Sequence, residues 1–169
     1  MWKRPEHLTI LRMCCALVAT AVVGLVGWTA ELPGAPNLVR NPGFEEPLEV
    51  AWDRRTPEDG TRRLSRISPG RTGGHCLVLE NVEDAYTRLR QGADKSITVA
   101  SGSLVELSVW VRSELSASGK VIVQLYSIGE KGKITGQPLA APISEPCDWM
   151  PVKLLAHIPE GTLYCMPYL

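Results

Sequence analysis

"LVELSVWVRS", residues 104–113, is the stretch on which the fold turns. Val105, Leu107, Val109 and Val111 alternate with Glu106, Ser108, Trp110 and Arg112. Strand side chains point to opposite faces in turn, so one face is apolar and the other is polar with an indole on it. "KVIVQLYS", residues 120–127, repeats the scheme. Val121, Val123 and Leu125 form an apolar row, and Gln124 and Tyr126 share the opposite row with Lys120 and Ile122. Two neighbouring strands of this kind suit a two-layer sandwich, whose apolar rows fill the space between the sheets.

Working outward, strand-like runs recur at short intervals: "RRLSRIS" (62–68), "HCLVLE" (75–80), "AYTRLRQ" (85–91), "KSITVA" (95–100) and "WMPVKLLAHI" (149–158). "SPGRTGG" (68–74) is a turn-rich loop between two of them. The chain carries 15 Gly and 13 Pro and no long run of helical period. The expectation is an all-β antiparallel sandwich.

Among 169 residues, 18 are basic and 18 acidic. Such balance argues against a nucleic-acid partner, which calls for a basic excess or stripe. Cys14 and Cys15 lie in an apolar run, and Cys76, Cys147 and Cys165 follow at spacings unlike a metal site. They read as small buried side chains.

The N terminus has its own pattern. "MWKRPEHLTILR" supplies Lys3, Arg4 and Arg12, and residues 13–30, "MCCALVATAVVGLVGWTA", carry no charge. A basic flank before an apolar run reads as one N-terminal apolar helix, either an export signal or a single transmembrane anchor with the basic end inside. Cleavage after Ala30 would place Trp28 three residues before the cut, and cleavage after Ala35 would place Pro33 there. Neither is the small residue such a site prefers, which favours an anchor. Residues 31–36, "ELPGAP", form a linker, and residues 37–169 form the sandwich. The domain is therefore expected outside the cytoplasm, membrane-anchored or, if cleaved, secreted.

"NLVRNPGFEEPLEVAW", residues 37–52, opens that domain. Leu38 and Val39 start a strand, and Pro42-Gly43 supplies the fixed and the permissive φ of a type II turn. Phe44, the single Phe, and Trp52 are large enough to plug one end of a sandwich.

"NLVRNPGFEEP" followed by Trp52 resembles the start of the cellulase-C-like carbohydrate-binding modules, within the galactose-binding-like jelly rolls. The likeness continues in order through "GRTGGHCLVLEN", "YTRLRQ", "ITVASGSLVELSVWVRS", "KVIVQLY" and "DWMPVKLLAHIPEGT". It implies a jelly-roll topology and non-catalytic binding of a polysaccharide or oligosaccharide. It also implies a further strand, Gly-rich and then acidic, beyond "TLYCMPYL", so the chain reads as such a module without its last strand. The resemblance implies no cofactor beyond a structural calcium ion, for which Glu45 is the matching carboxylate.

Sugar recognition needs aromatic faces to stack on pyranose C–H groups and planar polar groups to pair hydroxyls, because an unmatched buried donor or acceptor is costly. The candidate glycan contacts are Trp110, Arg112, Gln124 and Tyr126, with Tyr86 and Arg88 from the strand before them. No nucleophile elbow, zinc-protease motif or phosphate loop is present, and His75 and His157 stand alone. No carboxylate pair is singled out for glycoside hydrolysis. The alternative readings are a structural or protein-interaction domain of the envelope, or an inactive fragment of a glycoside hydrolase.

Overall fold

The computed structural model describes residues 8–22, 37–55, 61–72, 74–82, 86–92, 94, 96–115 and 119–169. Ten strands are assigned, with almost no helix among the described residues. They are β1 (Leu8–Val22), β2 (Trp52–Arg54), β3 (Arg62–Ile67), β4 (Cys76–Val82), β5 (Leu89–Gln91), β6 (Leu104–Glu114), β7 (Gln124–Gly129), β8 (Ile134–Gly136), β9 (Cys147–His157) and β10 (Thr162–Tyr168). One sheet has the order β3-β4-β1-β6-β9 and the other β2-β5-β10-β7-β8, with every strand pair antiparallel.

The alternation in residues 104–113 becomes the core. Val105, Leu107, Val109 and Val111 are buried, and β9 sets Ala156, Leu154 and Val152 against the first three in register. From the second sheet Trp52, Leu89, Leu125 and Cys165 join the same cluster. Val121 and Val123 belong to it too, although residues 120–123 form no assigned strand: Val121 bridges Ile143, and Val123 O accepts the Ala140 N–H at 2.9 Å. The run at 95–100 likewise shrinks to one bridge, Ile97 to Cys165.

The opening stretch forms the plug its composition suggests. Phe44 and Trp52 are 0% and 2% exposed, with ring centroids 5.5 Å apart. The turn before them closes through Phe44 N–H to Asn41 O at 3.2 Å. It is not the expected type II turn, because positive φ falls on Asn41 (45°) and Phe44 (56°) and not on Gly43. Asn41 tolerates that region, and its side chain both donates to Glu46 O (3.0 Å) and accepts from Glu46 N–H (3.1 Å).

Two longer strands lie outside the runs read from the sequence as strands. "TLYCMPYL" forms β10, between β5 and β7 in the second sheet, and the chain changes sheets between β9 and β10 through a turn at Gly161 (φ 75°). Residues 8–22, which include the first ten residues of the uncharged run 13–30, run as β1 between β4 and β6. An apolar run such as residues 13–22 is compatible with a buried strand as well as a helix, and Val18, Thr20 and Val22 are β-branched. Its backbone pairs with β4 on one side and β6 on the other. Residues 23–30 of the apolar run and the linker at 31–36 lie outside the described residues.

Candidate ligand-binding face

The outer face of the second sheet collects one polar side chain from each of four adjacent strands. Asp53 of β2 pairs in register with Arg90 of β5, Arg90 with Tyr168 of β10, and Tyr168 with Gln124 of β7. Each is flanked by buried neighbours, Trp52, Leu89 and Gln91, Pro167 and Leu169, and Leu125. Strand alternation therefore turns the four outward together. At the ordinary strand spacing the row is about 14 Å long. Leu139, half exposed, extends it through its bridge to Gln124.

Contacts hold the row in place. An Arg90 guanidinium N–H donates to the Tyr168 hydroxyl at 3.0 Å, and Arg90 Nε lies 4.0 Å from Asp53 Oδ2. Tyr126, one pair further along β7, sits against Tyr168 with centroids 4.4 Å apart and planes tilted by 44°. Met166 stands opposite Tyr126 and is buried. Gln124 donates through its amide nitrogen to Gln137 O at 3.3 Å. At the Asp53 end, a Cβ on Gly92 would lie 2.5 Å from Asp53 Oδ2 and 2.8 Å from Asp94 Oδ1. Glycine thus leaves room for two carboxylates to approach one corner. The face offers aromatic surface at its centre, a donor beside it and acceptors at one end.

The six expected contacts do not form one surface. Gln124 and Tyr126 lie on this face. Trp110 and Arg112 belong to β6 of the other sheet, which corrects the assumption that β6 and β7 are neighbours. There the Arg71 guanidinium lies 3.5 Å from the centroid of the Trp110 ring, and Arg112 pairs with Asp148 at 3.8 Å. One face of the indole is therefore already covered by a cation. Tyr86 and Arg88 precede β5 and group with Arg62 of β3, whose guanidinium is 5.7 Å from the Tyr86 ring against 4.8 Å for Arg88. Asp53, Arg90 and Tyr168 were missed by sequence reasoning. Arg90 continues the spacing of Tyr86 and Arg88, but Asp53 and Tyr168 gain meaning only from the pairing of distant strands.

Glu45 is held by a histidine. Its Oε1 accepts the His75 backbone N–H at 3.0 Å and its Oε2 accepts from His75 Nδ1 at 2.7 Å. The bond from the imidazole is the main reason its carboxyl is held below the usual range. Among the described residues no group of three or more His, Cys, Asp or Glu side chains is placed to hold a metal ion. Both carboxylate oxygens of Glu45 are engaged by His75. Cys76, Cys147 and Cys165 are free thiols, and burial pushes the Cys165 thiol up.

Comparison with known proteins finds no matching family model, curated protein or solved structure. Among the described residues no helix is long and apolar enough to cross a membrane.

Proposed function

We propose that the chain is a non-catalytic glycan-binding module, a jelly roll of the cellulase-C-like kind, which holds a polysaccharide or oligosaccharide on the outer face of its second sheet. The observation that carries this reading is the Tyr126–Tyr168 pair beside the Arg90–Asp53 pair. Phenol rings offer π surface to sugar C–H groups, and Arg90, Asp53 and Gln124 offer directional partners to hydroxyls. The ordered likeness of residues 37–168 to such modules supports it, as does the strand pattern. The basic flank and uncharged run at the N terminus support export, with the domain tethered to a membrane or secreted.

Affinity electrophoresis in gels containing soluble glucan, xylan or mannan tests the proposal. Retardation by at least one glycan, lost in Tyr168→Ala, supports it. A folded protein that no glycan retards would refute it. One feature favours the interaction-domain alternative: Leu155 and Met150 of β9 are exposed, Leu155 by 60%, on a strand that pairs with β6 along one side. A protein partner retained from envelope extract after glycan digestion would support that reading instead.

A further inference from the structure

We infer, on the glycan reading of the second sheet's outer face, that Tyr164 is a second stacking platform of that face. The site then takes a run of several sugars laid along β10 rather than a single sugar or a chain end. Tyr168, Met166 and Tyr164 of β10 stand opposite Gln124, Tyr126 and Ile128 of β7 in continuous register, and Ile128 stands opposite Ile134 of β8. Leu125 and Cys165, which lie between these positions, belong to the core between the sheets. Strand alternation therefore turns Tyr164, Ile128 and Ile134 to the same outer face as Tyr168 and Tyr126. On the other flank of β10, the bridge from Ile97 to Cys165 brings Thr98, which is exposed, beside Tyr164.

The chemistry of this end suits the C–H faces of sugars. Met166 and Ile128 are buried, yet neither belongs to the core between the sheets. The outer face thus carries an apolar layer of its own, and Ile134, 49% exposed, continues it to the solvent. The Tyr168 hydroxyl is bonded to Arg90 and its ring lies against Tyr126. Tyr164 is half-buried, and its side chain makes no hydrogen bond, ring contact or cation contact among the described residues. A tyrosine in that setting ordinarily finds a partner for its hydroxyl, and here both hydroxyl and ring are left for a ligand. At the ordinary strand rise, Tyr164 and Tyr168 are about 14 Å apart along β10. One pyranose ring cannot touch both. A chain of several can, with Tyr126 and Met166 beneath its middle and the Thr98 and Tyr164 hydroxyls as polar partners at its far end.

The test titrates the full chain in mild detergent with the disaccharide and the hexasaccharide of the glucan, xylan and mannan series, and follows the heat of binding. In the series that binds, the wild-type protein should hold the hexasaccharide at least about tenfold more tightly than the disaccharide. Tyr164→Ala should weaken the hexasaccharide about tenfold and leave the disaccharide within about twofold, whereas Tyr168→Ala should weaken both. Tyr164→Phe, which keeps the ring, should retain most of the hexasaccharide affinity. Ile134→Ala, at an exposed position, should reproduce the length-dependent loss in smaller measure, and a thermal scan of each variant shows that it is folded. No loss in Tyr164→Ala, or an equal loss on both lengths, would overturn the inference and leave the glycan reading standing. Failure of every oligosaccharide to bind the folded wild-type protein would overturn both. Self-association of the chain that Tyr164→Ala abolishes would also overturn the inference, because the occupant of the strip would then be a second copy.

Discussion

Tyr126 and Tyr168 stand with ring centroids 4.4 Å apart on adjacent strands, and the Tyr168 hydroxyl accepts a hydrogen bond from Arg90. This pair joins aromatic surface to a fixed donor at the centre of the outer face. On the proposed function, Tyr168→Ala removes ring and hydrogen bond together. It should weaken glycan binding by about tenfold or more, as expected for loss of a packed aromatic contact. Trp110→Ala, on the other sheet under Arg71, should leave affinity within about twofold. Isothermal titration with the glycan that retards the wild-type protein measures both.

Gly92 makes room for Asp53 and Asp94. Gly92→Ala places a methyl group where the Asp53 carboxylate now sits, and the side chain must turn away from Arg90. Affinity should fall severalfold while the melting temperature moves little, because the displaced atoms are the far end of a half-exposed side chain. Titration and a thermal scan on one preparation separate the two effects.

Glu45 ties the opening turn to the loop before β4 through His75. Its folded carboxyl lies below its ordinary value. The link therefore stabilises fully above the unfolded carboxyl's value and is lost as pH falls through the folded one. In His75→Ala the Glu45 carboxyl should titrate closer to its ordinary value, read from its carbon chemical shift. The difference in melting temperature between wild type and variant should shrink on acidification.

Leu107 is fully buried in β6, opposite Leu154 of β9. Leu107→Ala should cost about 2–5 kcal/mol, and Trp52→Ala, which unplugs the end of the sandwich, about 3–5 kcal/mol. Urea unfolding reads both. A small cost for Leu107→Ala would mean that the alternation at 104–113 does not build the core.

The all-β class was legible because Val105, Leu107, Val109 and Val111 repeat at period two, and that period has one structural meaning over so long a run. The Phe44–Trp52 plug was legible from the scarcity of large aromatics near a turn. The location of the site was not. Alternation says that Trp110 and Tyr126 both face outward, but it does not say from which sheet, and strand order placed β6 and β7 in different layers. Tyr168 was passed over because "TLYCMPYL" has only a short alternating pattern, and its value comes from a position between β5 and β7. The apolar run at the N terminus carries no helical or strand period of its own. Over residues 8–22 its backbone pairs with β4 and β6, strands distant in sequence.

The central claim is that sugar binds the row from Asp53 to Gln124. An NMR titration with a soluble oligosaccharide, following tyrosine ring signals, arginine Nε–H signals and tryptophan indole N–H signals, tests it most directly. The account predicts saturable shifts at Tyr126, Tyr168 and Arg90 and a stationary Trp110. Shifts centred on the Trp110 indole, with both tyrosines unmoved, would contradict it.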